Sequence, residues 1–346
     1  MSGSPSTTRR PSRRSRSSPS RSARRRAALT SGTRNLCGSE HAAGLLRGAD
    51  AIVLDCDGVL VGVSASYDRT IALTVGRLLG ELGIHARLDV DAALIEGFKA
   101  TGGFNDEVDL AAAAALCAAA AAASGRDARE VAAWACGSLG PSGIAGVRAR
   151  LAGVADISGT VAALAHPGPS SRVRAEFNRV FYGPGMHARL FGGPPAAGGG
   201  MIESDALLVD VPAMRAIRRA AGRRPAVVTG RGRAPFEHTV RGPLRSEFDL
   251  ESSAFLEDEP RSVAKPSPAP LARALGSMGS SRALYVGDSM EDLLMARAAS
   301  RAGLGVSFCG VTGTARDPAE RRRMFEAAGA DATVGSVAGL AALAGG

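Results

Sequence analysis

Ala51-Ile52-Val53-Leu54 runs without a polar side chain into Asp55-Cys56-Asp57-Gly58, and this junction constrains the fold more than any other stretch. An uninterrupted apolar run suits a strand covered on both faces, the setting of a parallel sheet. The carboxylates that end it then sit at the strand's C-terminal edge, where open α/β sheets hold their ligands. Two carboxylates one residue apart repel unless a cation or a proton offsets them. The pair points to a metal-assisted site in which one aspartate is free to act as nucleophile. For the stretch taken alone, an Asp-Gly turn after a strand is the plainer reading.

The same pattern recurs downstream. Pro225–Val228 ends in Thr229-Gly230-Arg231, Ala254–Leu256 ends in Glu257-Asp258-Glu259, and Ala283–Val286 ends in Gly287-Asp288-Ser289-Met290-Glu291-Asp292. Asp288 is placed to reach the cation of the first pair, and Asp292 follows one turn along the next helix. Helix capping by Asp288 or Ser289 accounts for one of these residues, not for the acidic cluster. The Thr229 hydroxyl and the backbone N–H groups around Gly230 suit a phosphate oxygen. Gly230-Arg231-Gly232 is not a dinucleotide fingerprint, because the third glycine is missing. Lys265 and Lys99 are the only lysines among 42 basic residues. Arginine fills the surface role here, so Lys265, between a strand end and a helix, reads as an ammonium for phosphate charge and nearby carboxylates. Further strands at Gly305–Cys309 and Ala332–Val334 alternate with helices at Pro212–Ala221, Ala234–Arg241, Pro270–Leu275, 290–302 and Pro318–Ala328. This alternation predicts an α/β fold with a doubly wound parallel sheet.

Between about 65 and 205 the alternation stops. Helical spacing covers Tyr67–Leu82, Asp91–Lys99, 105–123, Glu130–Cys136, Ile157–Ala165 and Arg172–Phe181, and Tyr182–Met201 reads as a Gly/Pro-rich loop. The expected organisation is a disordered basic leader (1–45), a first piece of core with its strand (46–64), an inserted all-helical unit (65–205) and the remaining core (206–346). The alanine block Ala111–Ala123 is too short and too weakly apolar for a membrane span, which needs about 20 residues. In the insertion Gly102–Asp106 is the candidate substrate loop: Gly103 permits close backbone approach, and Asn105 offers an amide to a leaving group. Asn105 as a plain helix cap is the competing reading. Trp134 reads as core of this unit.

The formal net charge of +9 first suggests an acidic partner. Residues 1–39 hold ten arginines and no acid, so the body is left near −1, and nucleic-acid binding by the folded part is not supported. The leader itself fits an organelle (chloroplast) transit peptide, a basic nucleic-acid arm or a mis-called start; without a transit peptide the protein is expected in the cytoplasm. Five scattered cysteines without a Cys-x-x-Cys argue against a disulfide framework or zinc ribbon.

Taken together and in this order, Asp55-Cys56-Asp57-Gly58, Thr229, Lys265 and Gly287-Asp288 with Asp292 resemble the four motifs of the haloacid dehalogenase superfamily. The helical insertion after the first strand resembles the C1-type cap of subfamily I. Finer matches (Ser64–Tyr67, Gly102–Asp106, Val228–Arg231) resemble an uncharacterised subfamily IA group of archaea, cyanobacteria and plants. The basic leader and the Gly/Pro-rich segment at 192–200 depart from that pattern. The resemblance implies a Mg²⁺-dependent phosphatase acting on a small phosphorylated metabolite. Asp55 would form an aspartyl-phosphate, and Asp57 would act as acid and base and lend its backbone carbonyl to Mg²⁺. Asp288 and Asp292 would complete the metal site, and Thr229, Gly230 and Lys265 would hold the phosphoryl group. A phosphomutase on the same scaffold and a non-catalytic ligand-binding protein are the alternatives. Asp57 speaks against a dehalogenase, which lacks this acid/base. Substrate identity and oligomeric state are not fixed by these motifs.

Overall fold

A computed structural model describes residues 40–344 apart from 105, 138–141 and 195. The expected leader over residues 1–39 and the candidate contact Asn105 lie outside the described residues. Residues 40–48, placed in the disordered leader up to 45, instead form a helix, α1. Its Ala42 and Leu46 are fully buried against the sheet's core.

The predicted strands form one six-stranded sheet, in the order β5 (Ala254–Phe255), β4 (Ala226–Thr229), β1 (Ala51–Leu54), β6 (Arg282–Gly287), β7 (Gly305–Val311), β8 (Ala332–Val334). Every pairing in it is parallel. All four residues of β1 are fully buried, because alternate side chains feed two separate cores. Ile52 and Leu54 join Val227, Leu284 and Val286 on one face; Ala51 and Val53 join Val228, Tyr285 and Phe308 on the other. Leu54 lies level with Val227 of β4 and Val286 of β6, so Asp55, Thr229 and Asp288 leave the sheet at the same edge.

The insertion carries helices α2 (Ser64–Glu81), α3 (Ala92–Ala100), α4 (Glu107–Ser124), α5 (Ala128–Cys136), α6 (Gly143–Leu151), α7 (Ser158–Leu164) and α8 (Arg172–Phe191). Its core is α4, buried at every position from Leu110 to Ala121. The full helix α4 is longer than its alanine block and is long and apolar enough for a membrane span by length and composition, yet 72% of it is buried within the protein. Its alanines let α2, α5, α6, α7 and α8 approach on all sides, which is why the helix is apolar all round.

Helical stretches that went unread include a final one at Val337–Ala344 and two in the insertion. α6 has glycines at Gly143 and Gly146 and so a weak signal. The predicted loop at Tyr182–Met201 is helical as far as Phe191, with a kink at Gly183 (φ 66°) just before Pro184. A Cβ on Gly200 would come within 2.2 Å of Gly183 N, so the glycines allow two backbones to touch across the kink. Glycine and proline thus mark a bent helix here, not its absence.

The chain leaves the sheet through β2 (Val61–Gly62) and returns through β3 (Ala206–Leu207). These pair antiparallel, with Val61 opposite Leu207. After β3 follow α9 (Val211–Ala221), α10 (Arg233–Thr239), α11 (Ala269–Met278), α12 (Met290–Arg301), α13 (Pro318–Ala327) and α14 (Val337–Ala344).

Candidate active site

Two strand ends and one loop build an acidic cradle at the C-terminal edge of the sheet. Carboxylate oxygens of Asp55, Asp288 and Asp292 lie within 4.8 Å of one another. Lys265 Nζ donates to Asp55 Oδ1 at 2.8 Å and to Asp292 Oδ1 at 2.7 Å. The Cys56 backbone N–H donates to the same Asp55 oxygen at 2.8 Å. Tyr285, on β6, donates to Asp292 Oδ1 at 2.7 Å. Asp292 also serves the helix: its Oδ2 accepts from Ser289 N and Oγ, while Ser289 Oγ accepts from Asp292 N. The capping and site readings of this acidic run are therefore both satisfied, with Ser289 as the cap and Asp292 in the cradle.

Three carboxylates face one ammonium, and that imbalance is electrostatically expensive in a buried place. Burial and the neighbouring Asp292 push the Asp55 carboxyl well above the ordinary range, against the pull of Lys265. Burial, with Asp292 beside it, raises Asp288 to about 7. Burial would also raise Asp292, but Lys265, Tyr285 and Ser289 outweigh it and hold that carboxyl low. The donor set is all oxygen and carries excess negative charge, so it fits a hard divalent cation such as Mg²⁺.

Gly58 closes the cradle from the side. Its φ is +74°, and a Cβ there would sit 2.0 Å from Asp288 Oδ2. Gly58→Ala is expected to displace Asp288 and weaken divalent-cation binding about 10–100-fold, as titration calorimetry with Mg²⁺ and Mn²⁺ would measure. Unaltered affinity would remove Asp288 from the ligand set.

Asp57 stands apart from the cradle. Its Oδ1 accepts from Arg231 Nε at 2.8 Å and its Oδ2 from Tyr67 OH at 3.0 Å. Thr229 ends β4 and is 1% exposed, its hydroxyl accepting from Arg231 N at 3.2 Å. Gly230 is exposed beside it. On the insertion, Gly103 is half-buried, and its N–H lies 3.4 Å from Thr101 Oγ1. The cap of α4 is Asp106, which accepts from Val108 N at 2.8 Å, so the helix boundary falls one residue after Asn105. Arg174 and Arg261 converge on the other oxygen of Asp106 at 2.5 and 3.3 Å, joining the insertion to the sheet. Tyr182 OH meets both oxygens of Glu257 at 2.7 Å and makes a second such junction.

The sequence reading missed Tyr285, Arg231 and Tyr67. Tyr285 lies inside a strand run and Tyr67 at a helix start, positions where an aromatic residue ordinarily means packing. Arg231 was weighed only within a glycine pattern. The available signal was an arginine two residues after a strand-ending threonine.

Residues 49–300 match the family described as haloacid dehalogenase-like hydrolase. The fold resembles a solved phosphatase, Tt82 from Thermococcus thioreducens, at 23% identity and a TM-score of 0.51, covering 80% of this chain and 98% of that one. It also resembles a structural-genomics target at 18% identity and a TM-score of 0.58, covering 85% of this chain and 97% of that one. No curated protein matches the sequence.

Proposed function

The chain belongs to the haloacid dehalogenase-like hydrolases, and from that premise we propose that it is a Mg²⁺-dependent phosphatase of small phosphate monoesters. The observation that carries this reading is the cradle: two buried carboxylates (Asp55, Asp292), the half-buried Asp288 and one lysine at the edge where β1 and β6 end. The name of the Thermococcus protein, a phosphatase, points the same way.

Phosphoryl transfer asks a protein for positioning and charge neutralisation. Cys56 N–H and Lys265 both occupy Asp55 Oδ1, so we assign attack on phosphorus to Oδ2. That step forms an aspartyl-phosphate and expels the alcohol oxygen. Asp57 gives the leaving oxygen its proton and then takes one from the water that cleaves the acyl phosphate. Lys265 holds a phosphoryl oxygen through its ammonium, and Thr229 does so through its hydroxyl. Asp55, Asp288, Asp292 and the Asp57 carbonyl would hold Mg²⁺, which supplies charge neutralisation of the phosphoryl oxygens. Substrate choice is assigned to the insertion, with Gly103 and Asn105 as candidate contacts.

A panel of phosphate monoesters, assayed for phosphate release with and without Mg²⁺, tests the reading. Mg²⁺-dependent release from at least one small ester is expected. A folded, Mg²⁺-binding protein that hydrolyses none across a broad panel would overturn it.

The cradle also predicts a pH dependence. Asp288 titrates near 7 in the metal-free fold, against an ordinary 3.8. Between those values the folded chain keeps a proton that the unfolded chain has lost. Metal-free stability therefore falls as pH rises through that window. The same proton competes with the cation below about pH 7, so Mg²⁺ affinity rises with pH. The Mg²⁺-induced increase in Tm is expected to be larger at about pH 8 than at about pH 6. An increase independent of pH would contradict the placement of Asp288 in the cradle.

A further inference from the structure

Beside the cradle lies a second buried polar cluster, centred on Arg231. Its side chain is 1% exposed, and the two carboxylates it serves are Asp57 and Asp205. Nε donates to Asp57 Oδ1 at 2.8 Å and Nη1 to Asp205 Oδ2 at 2.7 Å. Thr239 Oγ1 lies 3.4 Å from Nη1. The Asp205 side chain is fully buried, and its Oδ1 accepts from Ser66 Oγ at 2.6 Å. The remaining guanidinium nitrogen, Nη2, is buried without a hydrogen-bond partner among the described residues.

Position gives this cluster its meaning. Ser66 and Tyr67 sit in the first turn of α2, just past β2, where the chain enters the insertion. Asp205 precedes β3, where the chain comes back. Arg231 lies two residues past the end of β4. A single cation thus joins the Asp57 carboxylate to the return crossing through Asp205, and Ser66 adds the outgoing crossing. The guanidinium is planar and its donors are fixed relative to one another, so a shift at Asp205 moves the nitrogen that holds Asp57. Burying such a group between two carboxylates is costly compared with apolar residues of equal volume, and stability alone does not account for it.

We propose that Arg231 is a positioning residue that couples the seating of the two crossings to the orientation of Asp57, so that proton transfer is competent only when the insertion is seated. This inference rests on the phosphatase reading and deepens it.

The test compares Asp205→Asn, Arg231→Lys and Ser66→Ala with wild type on an alkyl phosphate and on p-nitrophenyl phosphate. The alkoxide needs a proton to leave and the nitrophenolate does not. kcat/KM reports the steps up to formation of the phosphoenzyme. For Asp205→Asn the loss is expected to be about 10²-fold on the alkyl ester and only a few-fold on p-nitrophenyl phosphate, the scale of general acid catalysis. On the alkyl ester it should fall on kcat with KM little changed. In an Asp57→Asn background Asp205→Asn should add nothing, because the relay then has no acid to place. Arg231→Lys, which keeps the charge but loses the fork, should behave like Asp205→Asn. Ser66→Ala, which touches neither Asp57 nor Arg231, should show the same leaving-group bias at smaller size and carries the test if the other variants fold poorly. Equal losses on both esters, or additivity with Asp57→Asn, would overturn the relay. Wild type inactive on both esters would instead count against the phosphatase reading itself.

Discussion

Asp55→Asn is expected to abolish turnover, with a loss of at least about 10⁴-fold in kcat, the scale on which removal of a nucleophile or its partner acts. The substitution keeps the shape of the side chain and removes the nucleophilic oxygen and its charge. It also relieves crowding. Three cradle carboxylates become two, with Lys265 still beside them. The metal-free variant should therefore be no less stable than wild type, and its melting temperature should vary less with pH between about 4 and 7. Phosphate release and thermal unfolding together make the test sharp: an inactive but folded variant supports a chemical role. A variant retaining more than about a tenth of the activity would remove Asp55 as nucleophile; the neighbouring Asp57 has both oxygens engaged, by Arg231 and Tyr67.

Lys265→Met is expected to produce the second large effect, and it acts on both stability and rate. Nζ bridges Asp55 and Asp292, whose side chains are 10% and 0% exposed. Burial works against its charge, but Asp292 and Asp55 outweigh burial and hold the ammonium firmly protonated. Methionine matches the stem of the lysine and removes the ammonium, charge and donors together. Two buried carboxylates then lose their counter-ion, a change that costs about 3 kcal/mol or more. Urea unfolding without metal should show that loss. Mg²⁺ should recover part of it, because the cation offsets the same carboxylates. The rate should fall by about 10³-fold even with Mg²⁺, since a preorganised donor to the phosphoryl oxygens is gone. An unfolding midpoint equal to wild type's in the absence of metal would mean that the cradle carboxylates are neutral in the native state.

How much of this was legible in the sequence depended on how local each signal is. β1, β4, β6 and β7 were readable because buried parallel strands are continuous apolar runs, and the first three ran into polar residues with a chemical use. Asp55, Asp288, Asp292 and Lys265 could be assigned to one edge because parallel strands share a direction. Their mutual hydrogen bonds could not, since Lys265 reaches across from a loop ten residues beyond β5. Capping by Asp288 or Ser289 was weighed against a site role; Ser289 is the cap, and Asp292 joins both, with Oδ2 on Ser289 and Oδ1 on Lys265. The bent α8 was missed because Gly183-Pro184 ordinarily ends a helix, and only contact with Gly199 and Gly200 shows why the chain continues. Arg231 was missed for a different reason. Its partners, Asp57 and Asp205, lie far from it along the chain; the β1–β4 pairing brings Asp57 near, and the return crossing brings Asp205.

The β2–β3 pairing has a consequence for how such a chain can be altered. Val61 faces Leu207 and Gly62 faces Ala206, so the sheet meets a large all-helical unit as though it were the loop of a hairpin. Whatever hangs from those two strands adds little loop-closure entropy to the sheet, because the cost grows only with the logarithm of length. The ribbon is thus a natural graft junction. Helical units of different size and specificity can be exchanged there, provided Ser66 and Asp205 travel with the graft, while the cradle beneath keeps its wiring.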